Sequence, residues 1–265
     1  MALQQNDLEL AAPDAFRFYR HIRELLQASG IPFLLGGAYA FAYYTGIVRH
    51  TKDLDLFVRP RDAEAILNVL ASAGYRTEIM FSHWLGKAFH GDDFVDVIFN
   101  SGNGLCPVDD LWFDHAVEAR VLGMVGKLIP AEEMIWQKSF IMERERFDGA
   151  DVNHLLRARG RHLDWDRLLR RFGTRRPVLL AHLILFGFVY PDDRESIPPS
   201  VLSLLLEERS HLSTTTPTQR LCRGPLLSRT QYAIDCEEWG YTDARLRPIG
   251  PMTEDQAFDW TAAGR

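Results

Sequence analysis

Long hydrophobic runs are missing from this sequence: nowhere do about 18 uncharged apolar residues follow one another, the length that a membrane-spanning helix needs. The opening MALQQNDLEL has neither the basic nor the apolar stretch of a secretory leader, so a cytoplasmic address and no membrane partner are expected. Cysteine is scarce, and Cys106, Cys222 and Cys236 are widely spaced and odd in number. They suggest neither a disulfide framework nor a paired zinc site and read as small buried apolar side chains. His50 and His83 have no second ligand at metal spacing and read as structural histidines. Positive charge is also short: 30 Lys and Arg against 36 Asp and Glu leave a net charge of −6, which argues against a large nucleic-acid footprint. One basic patch survives, Arg157, Arg159 and Arg161 followed by Arg167, Arg170 and Arg171, and its simplest reading is a solvated helical face. No internal repeat is present.

What remains is a chain of 265 residues, 46% hydrophobic and 25% charged, enough for one large domain or two small ones. Phe16, Tyr19, Ile22, Leu25 and Leu26 fall at helical spacing, and Gly30 ends that run, which predicts a helix over 15–28. The short apolar run Ile31 to Leu35 predicts a strand that turns through Gly36 and Gly37 into a second helix over 38–44. Tyr43 and Tyr44 could stack on a base, although core packing explains them more simply. A strand around Asp53 to Val58 alternates acidic and apolar positions, so Asp53 and Asp55 project from one face. A helix over 61–73 and strands over 76–81, 86–90 and 94–99 follow. The last strand sets Asp96 among Phe94 and Ile98, and a carboxylate there calls for a partner such as a metal or a lysine.

From Pro130 the pattern becomes helical, over 132–145, 149–158, 165–172, 178–190 and 201–208, with no strand-like alternation. The fold class expected is α+β: a mixed-sheet module over 1–128, then a helical module over 129–238, with a polar tail over 239–265. Ser213 to Gln219 reads as a loop or linker.

Two acids separated by one residue on a strand lie about 6.5 to 7 Å apart at the backbone, so their side chains can converge on one divalent ion. A Gly-Gly pair where a strand meets a helix lets the backbone approach a phosphate, and the helix amides favour its charge. Asp96 from a neighbouring strand would complete a three-carboxylate site able to hold two magnesium ions and is the candidate to accept the acceptor's proton. Arg49 and Lys52 carry positive charge beside this site and either contact phosphate oxygens or balance Asp53 and Asp55.

Gly36-Gly37, the segment Arg49-His50-Thr51-Lys52-Asp53-Leu54-Asp55, and Phe94-Val95-Asp96-Val97 resemble the nucleotidyltransferase superfamily of the DNA polymerase β type. Its small bacterial branches, the antibiotic nucleotidyltransferases and the abortive-infection toxin enzymes, are the most similar. The resemblance covers roughly residues 30 to 160 and implies magnesium, with a nucleoside triphosphate as donor. It implies Asp53, Asp55 and Asp96 as catalytic metal ligands, with Gly36, Gly37, Arg49 and Thr51 on the nucleotide side. It also matches Lys138 to a lysine that reaches the triphosphate, with Asp148 and Asp151 positioning it or the acceptor. The implied reaction moves a nucleoside monophosphate to a hydroxyl or phosphate acceptor and releases pyrophosphate. A small-molecule acceptor is favoured by the acidic net charge. RNA or protein, the toxin-like alternative, is motivated by the arginine cluster. The gap from Gly37 to Asp53 is longer than in many members, a feature that a catalytically silent nucleotide-binding or interaction module would share.

Overall fold

The structure, a computed structural model, describes residues 13–210 and 220–264. The expected leaderless start and the linker at Ser213 to Gln219 lie outside the described residues. The chain divides into two compact units, Met1–Pro130 and Ala131–Arg265.

The first unit is a seven-stranded mixed sheet with helices. Helix α1 (Pro13–Ser29) leads to β1 (Leu34–Leu35), α2 (Gly37–Thr45), β2 (Asp53–Phe57) and α3 (Ala63–Ser72). Strands β3 (Arg76–Phe81), β4 (Leu85–His90) and β5 (Asp93–Ile98) form a meander, followed by the short α4 (Asp110–Asp114) and the hairpin β6 (Val117–Val121) and β7 (Met124–Leu128). The strand order is β3-β4-β5-β2-β1-β7-β6. Parallel pairing joins β2 to β5 and β1 to β7, and the other pairs are antiparallel. Leu54, Leu56, Val95 and Val97 are fully buried and make the middle of the core, which leaves Asp53, Asp55 and Asp96 on the opposite face of the same two strands.

Sequence periodicity located most of this sheet, with three differences. The first strand is two residues long, not five. The hairpin β6–β7 was not anticipated; it turns at Leu122 and Gly123, both at positive φ as a tight primed turn requires. The buried stripe of α1 also contains a charge, Arg23, fully covered by the protein. Its guanidinium donates to the Val121 carbonyl and, at 3.3 and 3.2 Å, to those of Met124 and Val125. The hairpin's carbonyls therefore accept from both terminal nitrogens of a buried cation, which helps an arginine occupy a core position. Tyr44 is core, its hydroxyl donating to the Ile129 carbonyl at 2.8 Å.

The second unit is helical: α5 (Ala131–Lys138), α6 (Gly149–Arg159), α7 (Trp165–Phe172), α8 (Arg176–Val189) and α9 (Pro199–Ser210). The expected helix over 132–145 stops at Lys138. Beyond it the amides serve a loop instead, Glu143 to the Arg146 carbonyl at 2.8 Å and Met142 to that of Leu227 at 3.0 Å. Residues 220–264 add β8 (Leu221–Cys222), α10 (Ala233–Glu237), β9 (Thr242–Asp243) and α11 (Glu254–Ala262). The expectation of a plain polar tail is corrected here: β9 pairs with β8, and α11 begins with a capping box of Thr253 and Gln256. Among the described residues, no disulfide joins Cys106, Cys222 or Cys236.

By length and composition alone, the stretch Trp165–Val189 could cross a membrane. It is two helices broken by a 3₁₀ turn at Gly173–Arg175, and Leu168, Phe172, Leu179, Leu183 and Phe186 are buried by the unit itself.

The arginines of the basic patch divide. Arg167 and Arg171 are buried partners of Glu133, whereas Arg157 and Arg161 pair at the surface with Asp193 and Glu195.

Candidate active site

Register builds the site. In the parallel β2–β5 pair Asp55 faces Asp96, and in the antiparallel β4–β5 pair Asp96 faces Lys87, so the three side chains lie in one row across three strands. Asp53 stands two residues before Asp55 on the same face. One carboxylate oxygen from each of Asp53, Asp55 and Asp96 lies within 4.8 Å of the others. An ion about 2.0 to 2.6 Å from each oxygen is spanned by such separations, and hard carboxylate oxygens suit magnesium. The donor set fits a divalent cation.

Thr51 donates its hydroxyl to Asp53 Oδ1, which fixes that carboxylate from the segment leading into β2. The Gly36 amide donates to the Asp55 carbonyl at 3.0 Å, tying the turn before α2 to β2 despite the long gap between them. Gly37, at φ +53°, lies under the Asp55 side chain: a Cβ added there would come within 1.6 Å of Asp55 Oδ2. At Gly36 a Cβ would meet the Phe57 ring at 2.2 Å. Both glycines are therefore required by close approach, and the one beneath Asp55 also by its backbone angle. The turn and the acidic strand meet at the N-terminus of α2.

Burial pushes the Asp96 carboxyl above the usual carboxylate range, against the Lys87 hydrogen bond and charge, while Asp53 pushes it the same way as burial. Lys87 Nζ donates to Asp96 Oδ1 at 2.6 Å. Sequence reasoning asked for a metal or a lysine beside Asp96 but could not name Lys87, because only the β4–β5 register brings the two together. A second unforeseen feature is Tyr19 on α1. Its phenol is fully buried, its hydroxyl has no hydrogen-bond partner among the described residues, and burial, with the charges of Asp93, Asp53, Asp55 and Asp96, raises its pKa. The negative field of the acids extends to that helix.

The remaining candidates are distributed as follows. Arg49 lies over the Phe41 ring, 4.7 Å from its centroid. Lys52 is exposed, and His83 meets the Gly102 carbonyl at 2.9 Å. Lys138, Asp148 and Asp151 belong to the second unit, where Lys138 Nζ sits 2.8 Å from Asp148 Oδ2 and from Asp151 Oδ2. Burial works against ionisation of Asp148, but hydrogen bonds and charge from Arg146 and Lys138 hold its carboxyl below the usual range. Lys138 is thus bound to the two acids expected to position it.

The chain belongs to the family described as an uncharacterised nucleotidyltransferase, whose model matches residues 9–186. No curated protein matches it significantly. Solved structures do. The antibiotic-resistance factor ANT(2'')-Ia is 16% identical, with 63% of this chain and 95% of that chain covered and a TM-score of 0.46. LnuA, a lincosamide antibiotic adenylyltransferase solved with lincomycin bound, is 15% identical over 55% of this chain and 96% of its own, with a TM-score of 0.40. An antigenic nucleotidyltransferase-like protein from Paracoccidioides brasiliensis is 15% identical over 65% and 93%, with a TM-score of 0.38. Each of the three is a remote likeness.

Proposed function

We propose that this nucleotidyltransferase transfers a nucleoside monophosphate from a nucleoside triphosphate to a hydroxyl or phosphate group of a small molecule, releasing pyrophosphate, with magnesium held by Asp53, Asp55 and Asp96. The observation that carries this reading is the convergence of three carboxylates from β2 and β5 to within 4.8 Å, beside a glycine turn that opens a helix. Family membership supplies the reaction class.

Bound there, magnesium would supply charge neutralisation of the phosphates and activation of the attacking oxygen. The chain's own groups do the rest. Thr51 fixes Asp53, and the glycine turn, packed against Asp55 and Phe57, sets the N-terminus of α2 with its dipole beside the acids. The acceptor oxygen attacks the α-phosphorus, the bond to the β-phosphate's bridging oxygen breaks to release pyrophosphate, and Asp96 is the candidate to take the acceptor's proton. Within the second unit, Lys138 is fixed by Asp148 and Asp151. Positioning and charge stabilisation account for the acceleration, and no covalent enzyme intermediate is needed.

The test is incubation of the protein with magnesium and each of the four α-labelled triphosphates, with a cell extract as source of acceptors. Label transferred to a small product, and absent with Asp53→Ala/Asp55→Ala, is the expected result. Label on RNA or protein would move the acceptor to the macromolecular class. No transfer with any triphosphate, together with an Asp53→Ala/Asp55→Ala variant that leaves triphosphate binding unchanged, would sink the reading.

A further inference from the structure

Lys87 is a cation that sequence reasoning did not single out. Its ammonium is held on two sides, 2.6 Å from Asp96 Oδ1 and 3.8 Å from the centroid of Phe94, the residue two places before Asp96 on the same face of β5. The side chains of Lys87 and Asp96 are 18% and 14% exposed, so neither sweeps freely through solvent. Asp96 has two oxygens. Oδ1 is engaged by the ammonium, and one oxygen of Asp96 lies within 4.8 Å of carboxylate oxygens of Asp53 and Asp55.

We propose that Lys87 is a positioning residue of the metal site, with two effects. It holds Asp96 in one orientation, and its fixed positive charge opposes the entry of a divalent ion, so that the ion binds weakly until a triphosphate brings negative charge with it. Metal loading is thereby coupled to donor binding. The inference rests on the metal-site reading of Asp53, Asp55 and Asp96. It follows from the pair's geometry and the sign of the charges: an ion bridging the three acids sits within a few ångströms of an ammonium already bonded to one of them, and at that range like charges repel strongly even in a partly solvated site. Removing the charge should therefore have opposite effects on two quantities. Divalent-ion affinity rises, because the repulsion is gone, and turnover falls, because Asp96 is free to rotate. A lysine that only supported the fold would lower both or neither.

The experiment is Mn²⁺ binding to the full chain without triphosphate, followed by electron paramagnetic resonance, for the wild type, Lys87→Met, Lys87→Gln, Lys87→Arg and Asp53→Ala/Asp55→Ala, alongside kcat and the triphosphate KM. Two neutral variants guard against one that fails to fold, checked by circular dichroism. The expected result is that the neutral variants bind Mn²⁺ about tenfold more tightly while kcat falls about tenfold, and that Lys87→Arg stays within about threefold of wild type in Mn²⁺ affinity. Wild-type binding that Asp53→Ala/Asp55→Ala abolishes, with neutral Lys87 variants unchanged or weaker, overturns this proposal alone. Equal binding by wild type and Asp53→Ala/Asp55→Ala, or none by any variant including the neutral Lys87 ones, removes the metal-site reading and the proposal with it.

Discussion

Glu133 on α5 and Asp96 on β5 are both shielded from water, yet the first is surrounded by cations and the second by acids. Glu133 is fully buried, and Arg167 reaches both its oxygens, at 2.6 and 2.5 Å, while Arg171 adds a third bond at 3.1 Å. Glu132 is bound by the same Arg167 at 2.6 Å. Asp96 shares its surroundings with Asp53 and Asp55, and its bond from Lys87 does not prevent its carboxyl from being pushed up. A buried charge that is answered charge for charge holds a helical bundle in register. A buried charge crowded by its own kind costs stability, and it is accounted for once a divalent ion and a triphosphate are expected at that place.

The sharpest way to break this contrast is to remove acids from each region. Asp53→Ala/Asp55→Ala should reduce nucleotidyl transfer on the order of 10³-fold, with a thermal midpoint close to wild type, because both side chains lie off the core face of β2. Glu133→Gln should do the reverse. It removes the charge that Arg171 and Arg167 share, Arg167 keeping Glu132, and costs about 3 kcal/mol in urea unfolding, while transfer by the surviving folded fraction persists. If instead Glu133→Gln were neutral and the aspartate variant collapsed, the assignment of structural and functional charge would be inverted.

Gly37→Ala tests the junction of turn and strand. The added methyl meets Asp55 Oδ2 and the residue is held at positive φ, so a stability loss of about 1 to 3 kcal/mol is expected together with a loss of transfer on the order of 10²-fold. A variant with full transfer would show that Asp55 does not need its place against the helix.

The smallest effect concerns the helical unit and pH. His182 is buried, with its ring nitrogen 2.9 Å from the Ser139 carbonyl, and burial lowers its pKa below 6.5 in spite of that contact. The unfolded chain therefore takes up the proton first as pH falls. The stability contributed by the neutral ring is complete above about pH 6.5 and declines below it by at most about 1.4 kcal/mol per pH unit until the folded-state pKa is reached. Urea midpoints between pH 7.5 and 5 should show that slope in the wild type and lose it in His182→Gln.

Much of the sheet was legible because its signals are local. Gly36-Gly37 announces a turn, Asp53-Leu-Asp55-Leu alternates as a half-buried strand must, and the apolar stripe of α1 repeats at helical spacing. What was not legible depends on pairing. Lys87 joins the acids only through the β4–β5 register, and Arg23 can be core only because the carbonyls of a distant hairpin turn meet it. The end of α5 at Lys138 has no glycine or proline to mark it; loop contacts with Leu227 and Arg146 terminate the helix. Two local signals were present but unread: the alternation Val117-Glu-Ala-Arg-Val121 of β6, and the Thr253-Glu-Asp-Gln256 box that starts α11.

The central claim is that three acids on β2 and β5 hold a metal for a triphosphate. Calorimetric titration of a triphosphate analogue that cannot transfer its nucleotide, with and without magnesium, tests it most directly. Binding that requires magnesium in the wild type and is absent from a folded Asp53→Ala/Asp55→Ala variant is the result predicted. Binding that ignores magnesium, or that survives in the variant, would contradict it.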